Sequence, residues 1–217
     1  MSAQGNPVSA PGPAQGEHPT APPAGAPLRP RQVLLFTGHV VDRPGRTPPR
    51  FPETAVPAAA ARIAALLAEL QAGADDLALT QGAAGGDLLF IAAAQARGMP
   101  VQLLQPFDEP QFLAESVLPH GEPWLARYAA MRAQLGSGQP ILAAPAVLGP
   151  LPAGGDAYER CNLWLLERGL AHGAERLQLI ALWNGAGGDG PGGTAHMVHT
   201  VRERGGRVSV IDTRSLG

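Results

Sequence analysis

The chain has 217 residues, of which 16 are basic and 18 acidic, for a formal net charge of −2. All 16 basic residues are arginine and none is lysine, which excludes a Walker-type phosphate loop, a Schiff-base enzyme and a pyridoxal phosphate enzyme, each of which needs a lysine amine. The single cysteine, Cys161, excludes an intramolecular disulfide framework and a multi-cysteine zinc site, and the near-neutral balance argues against a dedicated nucleic-acid binder.

Residues 1–30 hold 8 of the 23 prolines, no aromatic side chain and almost no aliphatic ones. Such a segment buries too little apolar surface to offset its ordering entropy, so a disordered Pro/Ala/Gly-rich tail is expected there. Residues 31–217 are expected to form one Rossmann-like domain. No basic n-region precedes an apolar stretch, so no signal peptide is expected. No run of about eighteen apolar residues follows, so no membrane-spanning helix and no membrane partner is expected, and a cytoplasmic location fits.

From residue 32 the chain alternates strand-like and helical patterns. Residues 32–37 (QVLLFT) form a continuous apolar run of strand length. Residues 58–71 carry Ile63, Leu66, Leu67 and Leu70 at helical spacing, with Pro57 suited to the first turn. Residues 77–80 read as a second strand, 87–97 as a mostly apolar helix closed by Gly98, and 101–104 as a third strand. Two helices are expected over 108–118 and 123–135, and a fourth strand within 141–148. A helix over 158–172, a strand over 177–183, a helix over 194–204 and a strand over 207–211 complete the pattern. Apolar strands without polar alternation, separated by helices, indicate parallel strands buried on both faces. The fold class is therefore α/β, a three-layer Rossmann-like sandwich around a mostly parallel central sheet.

Ligands of such sheets bind at the carboxyl ends of the strands, and three segments fall there. The first is GAAGGD, with Gly82, Gly85, Gly86 and Asp87, between a strand and a helix. Its glycines permit positive φ and close backbone approach, and the helix N-terminus beyond suits an anion. The competing reading is a tight turn with Asp87 as N-cap. The second runs from Trp183 through Asn184, Asp189, Pro191, Gly192 and Gly193 to Thr194. Six of the ten residues 184–193 are glycine, more than a plain connection needs. The third follows the first strand and holds Gly38, His39, Asp42, Arg43, Arg46, Arg50 and Glu53. A proline-stiffened loop this long is uncommon in a compact domain unless it has a function. With lysine absent, Arg43, Arg46 and Arg50 are the natural counter-charges for phosphate, the competing reading being a solvated loop.

Other features carry less. His196 and His199 lie three apart on a helix, with no third metal ligand evident, so no metal site is assigned. Tyr158 and Asn162 are one turn apart on a helix whose start should face the crevice. Cys161 and the three tryptophans read as core residues, although Trp183 ends a strand at the expected site.

The pairing of GxxGGD (Gly82, Gly85, Gly86, Asp87) with PGGT (191–194) on this framework resembles the SLOG superfamily, which includes DprA/Smf proteins and LONELY GUY-type phosphoribohydrolases. The resemblance spans most of residues 32–212. Further pieces, TGH at 37–39, DRPGR at 42–46, PRFP at 49–52, LQPF at 104–107, Phe112, ESV at 115–117 and Trp124 with Arg127 and Tyr128, are similar to a bacterial SLOG branch attached to signalling or effector modules.

What the resemblance implies is a site for a nucleotide or nucleotide-derived signal over the two glycine turns. Backbone N–H groups at 85–87 and 192–194 would hold phosphate, the arginines would supply charge, and Asp87 or Asn184 would contact sugar or base. The hydrolytic branch carries PGGxGTxxE, whose glutamate is needed for catalysis. Here the motif is shortened and Met197 stands at that position, which favours a ligand sensor over a nucleoside monophosphate hydrolase. No catalytic residue is assigned, although Asp87, Asp189 and Glu53 are the carboxylates at hand. No cofactor is expected beyond the nucleotide ligand and a magnesium ion that could accompany it. A homodimer or an effector protein is the partner to consider. A DprA-like DNA-binding role is disfavoured by the charge balance.

Overall fold

The computed structural model describes residues 1, 29–135, 141–186 and 193–216. The expectation of a disordered tail over 1–30 falls almost wholly outside these residues. So do Gly192, Asp189 and Pro191 of the second glycine turn.

Among the described residues, six strands form one all-parallel sheet: β1 (Val33–Gly38), β2 (Leu77–Thr80), β3 (Val101–Gln105), β4 (Leu142–Ala143), β5 (Leu177–Trp183) and β6 (Arg207–Asp212). Their order across the sheet is β4-β3-β2-β1-β5-β6. The chain therefore leaves β1 toward one edge and returns beside it with β5, so the strand order reverses between β1 and β5. β1 pairs with β5 along its whole length, from Val33 opposite Leu177 to Gly38 opposite Leu182.

Helices α1 (Val56–Glu69), α2 (Gly86–Gln95), α3 (Glu109–Ser116) and α4 (Glu122–Gln134) follow the first three strands. Three more, α5 (Ala144–Leu148), α6 (Ala157–Leu170) and α7 (Thr194–Glu203), follow later in the chain. Alternate residues of each strand point to opposite faces, and this divides the core in two. Leu34 and Phe36 of β1 join Ile63 and Leu67 of α1, Phe90 and Ile91 of α2, and Trp124 of α4 on one face. Val33 and Leu35 join Cys161, Trp164 and Leu165 of α6 and Met197 and Val201 of α7 on the other. Burying each large aliphatic or aromatic side chain stabilises the fold by roughly 1.5–3 kcal/mol relative to exposure. The result is a three-layer, Rossmann-like α/β sandwich.

The fourth strand departs from the expectation over 141–148. Only Leu142 and Ala143 pair with β3, and the chain then turns into α5, with Pro145 in its first turn. Proline suits a helix start and cannot donate to a strand ladder, so an edge strand ends where it appears. Elsewhere the boundaries lie within a few residues of those the periodicity predicts, and β5 coincides with its predicted range.

Candidate functional site

The crevice at the carboxyl end of the sheet lies over the ends of β1 and β2, against the start of α7. It encloses a cavity of about 690 Å³. Parallel topology brings the N-termini of α2, α6 and α7 to this edge, and the chain after β1 loops over it. Gly38, His39, Asp42, Arg43, Arg46, Arg50, Asp87, Gly193 and Thr194, each singled out by the sequence, all line the cavity.

The loop after β1 is pinched at its base. Asp42 N–H donates to Phe51 O (2.8 Å), while the N–H groups of Arg50 and Phe51 both donate to Asp42 Oδ2 (2.8 and 2.9 Å). Phe51 is fully buried and anchors this pinch in the core. Arg46 Nε lies 3.4 Å from Asp42 Oδ1. Asp42 thus closes the loop that carries the arginines, and its carboxylate is engaged by the loop itself. Arg43 and Arg46 are exposed and Arg50 half-buried, so the loop displays guanidinium groups along one side of the cavity.

The first glycine turn is built differently. Gly85 has φ +111° and is the N-cap of α2, with Val40 bridged to it in antiparallel fashion. A Cβ on Gly85 would lie 2.5 Å from Val41 N, and one on Gly86 would lie 2.9 Å from the Phe36 ring. Gly86 N–H donates to His39 O (3.3 Å), and Val41 N–H donates to Ala84 O (3.2 Å). The expected phosphate role of the Gly86 N–H therefore gives way to an internal bond. These glycines let the start of α2 press against the chain at 39–41 and against Phe36. Gly82, Gly85 and Gly86 stand behind the cavity and are not among the residues that line it.

Asp87 takes up two further donors of that turn. Its Oδ2 accepts from the N–H groups of Gly82 (3.0 Å) and Ala83 (3.2 Å), so it ties the turn together without being the N-cap. Burial pushes its carboxyl up to about 6; the N–H groups of Ala83 and Gly82, the Thr80 hydroxyl and the Gln81 backbone pull the other way. A carboxyl of this kind can hold or release a proton near neutral pH at the cavity floor.

The second glycine turn reaches the cavity through Gly193 and Thr194. Gly193 is the N-cap of α7, and no side chain among the described residues caps that helix. Thr194 Oγ1 sits 3.4 Å from Thr37 Oγ1, joining the start of α7 to the end of β1. Asn184 is not in the lining. Its Oδ1 accepts from Ala186 N–H (3.1 Å), and its own N–H donates to His39 Nε2 (3.3 Å). The contact to sugar or base expected of Asn184 thus competes with a turn-closing role.

Only parts of the opposite wall were anticipated. Glu115 and Ser116 at the end of α3, His120, Asp156, and Glu159 of α6 all line the cavity with Gln81, Tyr158 and Asn162. Ser116 Oγ and Tyr158 OH are 3.0 Å apart, and Tyr158 OH lies 3.5 Å from Glu115 Oε2. Gln81 Nε2 donates to Asn162 Oδ1 (2.6 Å), linking the end of β2 to α6. Asp156 caps α6 by accepting from Glu159 N–H (2.7 Å). Burial, and after it the nearby Arg43 charge, lowers the His120 pKa, against the Val41 backbone and Asp42. The Tyr158–Asn162 spacing and the ESV piece at 115–117 were signals for this wall; His120, Asp156 and Glu159 have no motif and meet only through the fold. One side of the cavity is thus cationic, and the other carries carboxylates and neutral donors.

The remaining candidates have structural settings. Cys161 is fully buried, its Sγ donates to Leu104 O (3.2 Å), and burial pushes the thiol pKa up. Met197 is fully buried in the core cluster of α6 and α7, away from the cavity lining. His199 pairs with Glu203 on the exposed face of α7 (3.2 Å). Glu53 accepts from Trp124 Nε1 (3.2 Å). No helix among the described residues is long and apolar enough to cross a membrane.

Fold and cavity together define a Rossmann-like α/β domain with a charged crevice at the carboxyl end of its sheet. No family model matches the chain, and no curated protein matches it by sequence. Among solved structures, it is similar to DNA processing protein A (DprA) from Streptococcus pneumoniae, at 13% identity and a TM-score of 0.36. That likeness is distant; it covers 87% of this chain and 61% of the DprA chain, so this chain spans about three fifths of that protein's length.

Proposed function

We propose that this domain binds a nucleotide or nucleotide-derived ligand in the crevice over the ends of β1 and β2, and acts as a ligand-sensing module. The observation that carries the reading is the convergence of Arg43, Arg46 and Arg50 with the start of α7, which no described side chain caps, on one 690 Å³ cavity. Guanidinium groups match phosphate oxygens in pairs, and a helix N-terminus adds free N–H donors and positive dipole density. The cavity volume is within the usual range for small-molecule sites. On the opposite wall, Glu115, Tyr158 and Gln81 offer acceptors and donors suited to ribose hydroxyls and base edges.

Phosphate recognition in this reading belongs to the arginine loop and to Gly193–Thr194, with no role for the Gly86 N–H. Calorimetry of the full chain against a panel of mono-, di- and cyclic nucleotides tests it. At least one compound is expected to bind with Kd below about 1 mM. Failure of every compound at that level would overturn the reading.

One observation favours a second reading. Asp87 lines the cavity as a buried carboxyl raised to about 6, the range of a general acid or base. An enzyme that hydrolyses a nucleoside monophosphate or nucleotide derivative would use such a group. Release of free base or ribose phosphate from the bound ligand, lost in Asp87→Asn, would establish turnover and displace the sensor reading.

A further inference from the structure

Thr37 and Gly38 end β1 and His39 follows, and each of the three meets β5 or the connection that leaves it. A Cβ on Gly38 would lie 2.8 Å from Leu182 Cβ, so glycine there lets the two strands approach. His39 N–H donates to Leu182 O (2.9 Å), and His39 Nε2 accepts from Asn184 N–H (3.3 Å). At the other end of the connection, Thr37 Oγ1 sits 3.4 Å from Thr194 Oγ1. The second glycine turn is therefore held at both ends by one tripeptide. Thr37, His39 and Thr194 are all buried.

The bond to Asn184 fixes the state of the His39 ring. A backbone N–H can only donate, so Nε2 carries no proton, and the imidazole is neutral with its proton on Nδ1. A histidine serving as counter-charge to phosphate carries protons on both ring nitrogens and has no acceptor left for Asn184. The His39 carbonyl also accepts from Gly86 N–H (3.3 Å), so the same residue braces the start of α2.

We infer that His39 is a neutral positioning residue of the cavity: with Thr37 it fixes both ends of the second glycine turn on the end of β1, sets where Gly193 and Thr194 stand, and gives the ligand no positive charge. The inference rests on the phosphate role proposed for Gly193 and Thr194.

Other charged and titratable groups share the cavity with His39. They are Asp42 and the three arginines of its own loop, Asp87 of α2, and Glu115, His120, Asp156, Tyr158 and Glu159 of the far wall. β5 and α7 bring none to the lining, and the Arg214 guanidinium, paired with Asp212, lies beside Gly185. The test therefore compares the wild type with a variant that changes His39 alone.

Nitrogen-15 NMR of the full chain at about pH 8 tests the clamp without ligand. His39 is expected as the Nδ1–H tautomer, and a ring protonated at Nε2 would overturn the inference. His39→Gln keeps an acceptor near the Nε2 position, and His39→Leu removes it. The Gly193 and Thr194 amide resonances are expected to shift in His39→Leu and to stay near wild type in His39→Gln; equal behaviour of the two variants would overturn the clamp. If His39→Leu does not fold, the tautomer and the His39→Gln spectrum still decide.

Binding of ADP and cyclic AMP at the same pH is expected to weaken about ten-fold in His39→Leu and by less than about three-fold in His39→Gln. From about pH 8 to 5.5 the wild type should lose about three-fold in affinity relative to His39→Gln, because a protonated ring cannot accept from Asn184. The comparison cancels the titration of the ligand phosphate and of Asp87. A relative gain on acidification would make His39 a phosphate counter-charge and overturn the inference. Failure of the whole nucleotide panel would instead overturn the binding reading, and the tautomer and amide shifts would then decide the clamp alone.

Discussion

The glycine turn at 82–87 and the arginine loop at 42–51 border the same crevice, yet they use their residues in opposite ways. In the turn, Gly85 and Gly86 have no room for a Cβ, and the Gly82, Ala83 and Gly86 N–H groups all donate within the protein. In the loop, the backbone is fixed by Asp42 at the base while the arginine side chains extend toward the cavity. A glycine cluster at a strand end thus marks close packing of backbone on backbone here, and the side chains of the neighbouring loop line the cavity. Rigidity comes from one region, and recognition, in the function proposed above, falls to the other.

That division can be broken first at the turn. Gly85→Ala forces a side chain onto φ +111° and against Val41 N at 2.5 Å, so destabilisation of about 3 kcal/mol or more is expected. Thermal unfolding measures it, and a fall in melting temperature of under about 2 °C would show that the turn has room to relax. The effect should appear without any ligand present.

Asp87 sharpens the contrast through pH. Burial raises its carboxyl to about 6 in the folded protein, from the ordinary 3.8 of an exposed aspartate. Between roughly pH 4 and 6 the folded state keeps a proton that the unfolded chain has lost, so this group's contribution to stability falls as pH rises through that window. The full difference is about 3 kcal/mol and is complete above pH 6. Asp87→Asn keeps an oxygen acceptor for Gly82 and Ala83 without the charge. It should therefore stabilise the protein by about 2 kcal/mol at pH 7.5, with the gain shrinking toward pH 4. Urea unfolding at several pH values reads this out. A gain independent of pH, or a loss at pH 7.5, would mean that the buried carboxylate is better accommodated than burial alone implies.

Asp42→Ala belongs to the loop and should act more mildly on stability. It leaves the Arg50 and Phe51 N–H groups without their carboxylate acceptor, at a cost of about 1–2 kcal/mol in urea unfolding. Its larger consequence is expected in binding, because the arginines lose the frame that holds them. Unchanged nucleotide affinity in this variant would show that the loop geometry is set elsewhere.

Much of the fold was legible from residue pattern. The apolar runs that became β1 and β5 are buried on both faces, so they lack the polar alternation of a half-exposed strand. β4 was harder, because two paired residues at a sheet edge leave almost no periodic signal and Pro145 starts a helix at once. The arginine loop could be read from its length and from the absence of lysine. The role of Gly85 and Gly86 could not, since glycine for close packing and glycine for a phosphate cradle look alike in sequence. The joining of Glu115, His120, Asp156 and Glu159 into one wall was invisible for another reason. Its members come from α3, the turn that follows it and the start of α6, and only the three-dimensional fold brings them opposite the arginines.

The most direct test of the proposed division between scaffold and recognition is nucleotide binding by the Arg43→Ala/Arg46→Ala double variant, measured by calorimetry beside the wild type. Both side chains are exposed, so the melting temperature should stay within about 2 °C. The affinity should fall about 100-fold, as expected for losing two charge-assisted contacts to phosphate. A double variant that binds the same nucleotide as tightly as the wild type would contradict the assignment of phosphate recognition to this loop.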